Sequence, residues 1–216
     1  MSQDSLFNVH TILPSSEVYG PGLRWVLWTQ GCTLACKGCW NTETWSKQKG
    51  VLMTMSDVKS SLDCAEEEIE GIEGITILGG EPLQQASATL ELIHYARSKN
   101  LTVMLYTGYY ESEFDEIMQQ CFDNSDLVIQ GRYVEGKRDL GLLWRGSTNQ
   151  ILESPTKRYD VSNFREAQEV EIQIDHDTGQ VTVTGYPDAQ ILEMVEELST
   201  SKLSSRIEKP KPSSKS

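Results

Sequence analysis

The chain has 216 residues, with 19 Lys and Arg against 32 Asp and Glu, for a formal net charge of −13. So acidic a chain is a poor candidate for gripping nucleic-acid phosphates, and no apolar run approaches the ~18 residues of a membrane-crossing helix. Five cysteines, three of them clustered, do not read as a disulfide framework, and the length allows one domain with a core plus an appendage.

In chain order, Met1 to Asn8 is polar and lacks the charged and apolar regions of a signal peptide. With clustered thiols that must stay reduced, this predicts a cytoplasmic protein. Leu6 to Leu13 alternates apolar and polar and predicts an edge strand ended by Pro14. Tyr19-Gly20-Pro21-Gly22 is turn chemistry. The apolar run Leu23 to Thr29 predicts a strand buried on both faces, as in a parallel sheet. It ends at Gly31 and delivers the loop Cys32-Thr33-Leu34-Ala35-Cys36-Lys37-Gly38-Cys39-Trp40.

Ser56 is the expected N-cap of a helix whose stripe is Val58, Leu62, Ala65 and Ile69. Cys64 borders that stripe and reads as a small buried residue. The run Glu66-Glu67-Glu68 reads as a solvated face, and Gly71 and Gly74 as the helix end. Ile75 to Leu78 is a second buried strand, with Gly79-Gly80-Glu81-Pro82 at its C-terminal end. A helix with Leu90 and Ile93 inward comes next, with His94 as a packing or surface residue. Leu101 to Tyr106 is a third strand, ending in Thr107-Gly108. Glu111 to Phe122 is a helix with Phe114, Ile117, Met118 and Cys121 on one stripe, so Cys121 is core. Leu127 to Gln130 is a fourth strand.

Strand and helix alternate, which calls for a parallel sheet. The stretch is too short for a full eight-stranded barrel of about 200 residues or more, so an open, partial β/α barrel is expected. In such folds reactive groups gather beyond the C-terminal strand ends, where the cysteine loop, Gly79-Gly80-Glu81 and Thr107-Gly108 all fall. After Gln150 the character changes. Pro155 and nearby charges read as a linker. Glu169 to Tyr186 reads as a β-hairpin around His176-Asp177-Thr178-Gly179, and Pro187 to Leu198 as a helix that covers the hairpin's apolar face. The Ser, Lys and Pro after 198 read as a disordered tail. The expected organisation is residues 1–153 as the main domain, 154–198 as a hairpin-and-helix extension and 199–216 as the tail.

The C-x3-C-x2-C spacing lets one short loop turn three thiolates toward one metal centre. Thiolates favour zinc or iron–sulfur clusters. A structural zinc site takes four ligands, and His10, His94 and His176 all lie away from the loop. Three cysteines suit a 4Fe-4S cluster with one iron open, whereas an electron-transfer cluster commonly has a fourth cysteine. A zinc knuckle remains the alternative.

The cysteine triad followed by an aromatic residue resembles the signature of the radical S-adenosylmethionine (SAM) enzymes. The ordered series Tyr19-Gly20-Pro21-Gly22-Leu23-Arg24, the cysteine loop, Gly79-Gly80-Glu81-Pro82, Tyr106-Thr107-Gly108-Tyr109 and Trp144-Arg145-Gly146-Ser147-Thr148-Asn149-Gln150 narrows it. That series is similar to the activating proteins of glycyl-radical enzymes, nearest the anaerobic ribonucleotide reductase-activating type. The resemblance spans residues 6 to 151 and is silent on the extension.

The resemblance implies a radical SAM fold and a 4Fe-4S cluster on Cys32, Cys36 and Cys39, whose open iron binds SAM. One electron then splits SAM into methionine and a 5′-deoxyadenosyl radical, which takes a Cα hydrogen from a glycine of the partner enzyme. It implies SAM contacts at Gly38, Cys39, Trp40, Gly79, Gly80 and Glu81, with Trp40 against the adenine and weaker nucleoside contacts at Asn41 and Thr42. Family members commonly have Asp where this chain has Glu81 and Gln130, and Tyr where it has Trp40. Arg145 and Asn149 either anchor the partner or serve the structure. No residue is assigned as catalytic. The implied partners are a glycyl-radical reductase and a flavodoxin or ferredoxin as electron donor, with no nucleic acid and no membrane. Two rivals stand beside this reading: a radical SAM enzyme that modifies another protein or peptide, and a non-catalytic iron–sulfur or zinc module.

Overall fold

The structure is a computed structural model and describes residues 4–164, 169–174, 181–185 and 193–194. Seven strands make one sheet: β1 Leu6–Ser16, β2 Leu23–Thr29, β3 Val51–Thr54, β4 Ile72–Gly79, β5 Thr102–Thr107, β6 Leu127–Gln130 and β7 Ile151–Glu153, in the order β3-β1-β2-β4-β5-β6-β7. Strands β2, β4, β5 and β6 are parallel. Antiparallel β1 and β3 flank them on one side and antiparallel β7 on the other. The fold is mixed α/β with a mostly parallel centre, as the alternation of apolar runs and helical stripes predicts. Among the described residues no helix is long and apolar enough to cross a membrane.

Three helices, α1 Met55–Glu68, α2 Ala86–Ser98 and α3 Glu116–Asp123, lie on one face of the sheet. Their inward residues Val58, Leu62, Leu92, Ile93 and Cys121 join Trp25, Leu27, Ile75, Ile77, Val103 and Leu105 in one core. None of these three helices lies on the opposite face. There Met104, Leu127 and Ile129 meet Leu143 and Trp144, with Tyr159, Val161 and Phe164 packed against them. Residues 154–164 are therefore part of the packed body rather than a free linker. Ser154 Oγ donates to the Asp126 carbonyl and Thr156 Oγ1 to the Asp126 carboxylate.

Several local expectations are corrected. β1 is not an edge strand, since β3 pairs along Leu6 to Val9 and takes that place. Pro14 does not end it. Beyond Val9 only β2 is paired with β1, and the register shifts between Leu13 and Ser16, so the missing proline N–H costs no ladder bond. The cap of α1 is Thr54 rather than Ser56: its hydroxyl accepts from Asp57 N and donates to the Asp57 carboxylate. Cys64 is exposed, one position off the buried stripe. Glu111 to Phe122 is not one helix, because Asp115 caps a fresh start at Glu116 and leaves a 3-10 turn at Glu111–Glu113. β7 was not legible, being three residues long. Gly74 lies within β4. A Cβ there would sit 2.2 Å from Thr102 Oγ1 and 2.6 Å from Arg24 Nη1, so glycine is required by space, not by a helix end.

The expected hairpin pairs β8 Val170–Ile174 antiparallel with β9 Val181–Gly185. Its polar side faces the body. Ser16 Oγ donates to Glu171, Gln173 Nε2 donates to the Ser15 carbonyl, and Tyr19 Oη accepts from Gly185 N. Ile172 and Ile174 are 38% and 63% exposed. The hairpin's turn, most of the helix expected over 187–198 and the tail lie outside the described residues.

Candidate functional site

The root of the cysteine loop is pinned from two sides. Gly31 N and Cys32 N donate to the carbonyls of Thr44 and Trp45, at 2.7 and 3.0 Å. From the other side Gly80 N and Glu81 N donate to the carbonyls of Thr29 and Gly31, at 2.8 and 2.9 Å. The β2–β4 ladder thus continues past both strand ends into the loop. A Cβ on Gly80 would lie 2.5 Å from the Gly31 carbonyl oxygen. The glycine pair serves first to bring two backbones together at the loop's root.

Cys32, Cys36 and Cys39 are each half-buried on this loop, at the C-terminal end of the parallel strands. Ala35 and Gly38 take positive φ, +49° and +75°, and Cys39 N donates to the Cys36 carbonyl at 3.1 Å, which coils the loop on itself. Burial pushes the Cys32 thiol up in pKa, against backbone N–H groups of Leu34 and Ala35 that pull it down. Burial and the neighbouring Cys39 push up Cys36, against the backbone N–H of Tyr133 and the charge of Arg132. Three soft donors on one coiled, half-buried loop are a set that suits a metal group. The donor set fits a 4Fe-4S cluster. Among the described residues no three His, Cys, Asp or Glu side chains converge on one ion position; a four-iron cluster does not ask for that, since each thiolate takes a different iron.

Glu81 is 1% exposed and turned inward. Oε1 accepts from Thr107 Oγ1 at 2.8 Å and Leu83 N at 2.9 Å, and Oε2 from Gly108 N at 2.7 Å. Burial raises its pKa to about 7 against the pull of those donors. Both oxygens are engaged in tying the β4 exit to the β5 exit. Trp40 carries the Arg138 guanidinium 4.6 Å from its ring centre, and Gly38 packs against Glu135, which pairs with Lys37 at 3.0 Å. The Asn41 carbonyl accepts from Thr44 N, a turn role. Gln130 joins elements too, accepting from Glu111 N and donating to the Glu153 carboxylate.

Sequence reasoning missed Gln84 as a neighbour of the loop. Gln84 Nε2 donates to Thr33 Oγ1 at 2.7 Å and to Tyr109 Oη at 3.1 Å, with its Oε1 buried and unpaired. Arg132 pairs with Glu113. Asn149 Nδ2 donates to the Arg132 carbonyl at 2.8 Å and to Tyr110 Oη at 3.2 Å. Trp144 is packed, 5.0 Å from Phe164 ring to ring. The available signal for Gln84 was position: it comes just after the buried parallel strand β4, where groups converge in α/β folds.

A family model described as a 4Fe-4S single cluster domain matches residues 18–153. The anaerobic ribonucleoside-triphosphate reductase-activating protein of Vibrio cholerae serotype O1 is 34% identical over 150 residues, covering 67% of this chain and 96% of that protein. The protein of the same name from Enterobacteria phage T4 is 37% identical over 154 residues, covering 69% and 95%. That from Escherichia coli strain K12 is 30% identical over 149 residues, covering 67% and 97%.

Proposed function

The chain belongs to the family of the anaerobic ribonucleoside-triphosphate reductase-activating proteins, and from that premise we propose that it is a radical SAM activase, which uses a 4Fe-4S cluster to generate a glycyl radical on a partner enzyme such as an anaerobic ribonucleotide reductase. The observation that carries the reading is the placement of Cys32, Cys36 and Cys39 on one coiled loop at the C-terminal end of four parallel strands. When bound, the cluster supplies the electron that splits SAM into methionine and the 5′-deoxyadenosyl radical, which takes a Cα hydrogen from the partner's glycine.

The chain's own residues bind, orient and shield. Cys32, Cys36 and Cys39 would hold three irons of the cluster and leave the fourth for SAM. Gly38, Trp40 and the backbone of Gly79, Gly80 and Glu81 line the place for SAM, while the Glu81 carboxylate keeps the two strand exits in register. Arg138 against Trp40 holds the indole beside the third cysteine. Helices on one sheet face only, with consecutive parallel strands, support a partial barrel rather than a doubly wound sheet. A flavodoxin or ferredoxin in the cytoplasm is the proposed electron source, and residues 165–216 are proposed as an extension with a role toward the partner.

The test is anaerobic reconstitution followed by iron and sulfide analysis, 5′-deoxyadenosine release from SAM, and the glycyl-radical signal of an added reductase. Four irons with sulfide and both products support the reading. Zinc without sulfide supports the binding-module rival, and SAM cleavage without a glycyl radical supports a different protein substrate.

A further inference from the structure

Arg132 stands at the exit of β6, one residue past Gly131. Its guanidinium meets Glu113 at two points, Nη1 to Oε2 at 2.6 Å and Nη2 to Oε1 at 2.8 Å. Nη1 also reaches the Gly108 carbonyl at 3.3 Å, and Cζ lies 5.5 Å from the centre of the Tyr109 ring. Gly108 in turn touches the cysteine loop: Leu34 Cδ1 would lie 2.4 Å from a Cβ placed there. The charge is therefore fixed by a fork, a carbonyl and an aromatic face, beside a glycine that packs on the cysteine loop. Two other cations beside the loop, Lys37 and Arg138, are turned to Glu135 and Trp40.

Resting on the cluster reading above, we propose that the Arg132–Glu113 pair is a positioning device that sets the reduction potential of the cluster held by Cys32, Cys36 and Cys39. Reduction adds one electron, taken from an external reductant, and makes the cluster more negative. A fixed cation nearby stabilises that state, and a carboxylate on the cation offsets it. Arginine suits the task because it never loses its proton and its fork fits a carboxylate.

The experiment is an anaerobic one-electron redox titration of the reconstituted full chain, followed by visible absorption and electron paramagnetic resonance. Wild type is compared with Arg132→Gln, Arg132→Lys, Glu113→Gln and the Arg132→Gln/Glu113→Gln double variant. Arg132→Gln is expected to be reduced about tenfold less at the same poise, a shift of about 59 mV downward for a one-electron couple. Glu113→Gln shifts upward, the double variant falls between the two singles, and Arg132→Lys stays near wild type. A role in folding alone would not produce opposite signs. Unmoved potentials in both single variants, or shifts of the same sign, at full iron and sulfide content overturn the proposal. Should Arg132→Gln fail to fold, Glu113→Gln decides the matter by the sign of its shift. Absence of any cluster in the wild type, read by iron and sulfide analysis, overturns the underlying reading instead.

Discussion

Arg24, 1% exposed, clasps Thr102 twice, with Nη1 on the hydroxyl at 2.9 Å and Nη2 on the carbonyl at 3.2 Å. Its other N–H groups reach Thr76 Oγ1, the Pro21 carbonyl and the Ile75 carbonyl. One side chain thereby ties β2 to β4 and β5 at the end of the sheet away from the cysteines. Burial lowers its pKa to about 10. The Tyr19-Gly20-Pro21-Gly22-Leu23-Arg24 series is thus a structural floor, and Gly74 is part of it.

Arg24→Met is expected to destabilise the protein by about 3 kcal/mol, because it leaves buried acceptors without donors. Gly74→Ala should cost about 1–3 kcal/mol by overpacking against Thr102. Urea unfolding of the two variants checks both, and a double variant should cost less than the sum, since the two residues share one space.

Cys32→Ala, Cys36→Ala and Cys39→Ala are each expected to abolish SAM cleavage, while Cys64→Ala and Cys121→Ala retain it. Alkylation of the folded protein should label exposed Cys64 and spare Cys121, which is buried with its thiol pushed up to about 12. Full cleavage by an iron-loaded Cys36→Ala protein would sink the ligand assignment.

Glu81 implies a pH dependence of stability in the metal-free protein. Its folded pKa, about 7, lies above the ordinary value of 4.5. The folded state then holds a proton that the unfolded state releases, so this contribution is complete below pH 4.5 and is lost as pH rises through 7. Unfolding free energies across that window should fall with pH for the wild type and stay flatter for Glu81→Gln. Equal slopes would show that the three donors to the carboxylate outweigh its burial.

Truncation separates the packed body from the C-terminal hairpin. Ending the chain at 153 removes Tyr159, Val161 and Phe164 from the face they cover and is expected to yield an unstable protein. Ending it at 164 should preserve the fold and SAM cleavage while weakening radical transfer to the partner. Thermal unfolding, 5′-deoxyadenosine release and the glycyl-radical signal of both truncations check this. Full radical transfer by residues 1–164 would leave the hairpin without a partner role.

Much of the centre was legible in the residues themselves. The run Leu23–Thr29 coincides with β2 and Leu127–Gln130 with β6, because strands buried on both faces must be almost wholly apolar. The cysteine spacing and its delivery from a strand end were equally plain, as local chain geometry decides them. Partnerships between distant residues were not. Nothing near Glu81 in sequence says that Thr107 and Gly108 will engage its carboxylate, and nothing near Arg24 announces Thr76 and Thr102. The hairpin makes the same point most sharply. Period-two alternation separated Glu171 and Gln173 from Ile172 and Ile174, but only the hydrogen bonds from Ser16 and to Ser15 decided that the polar side meets the body. A strand's pattern defines two faces; which of them is covered depends on the surface that the rest of the chain brings to it.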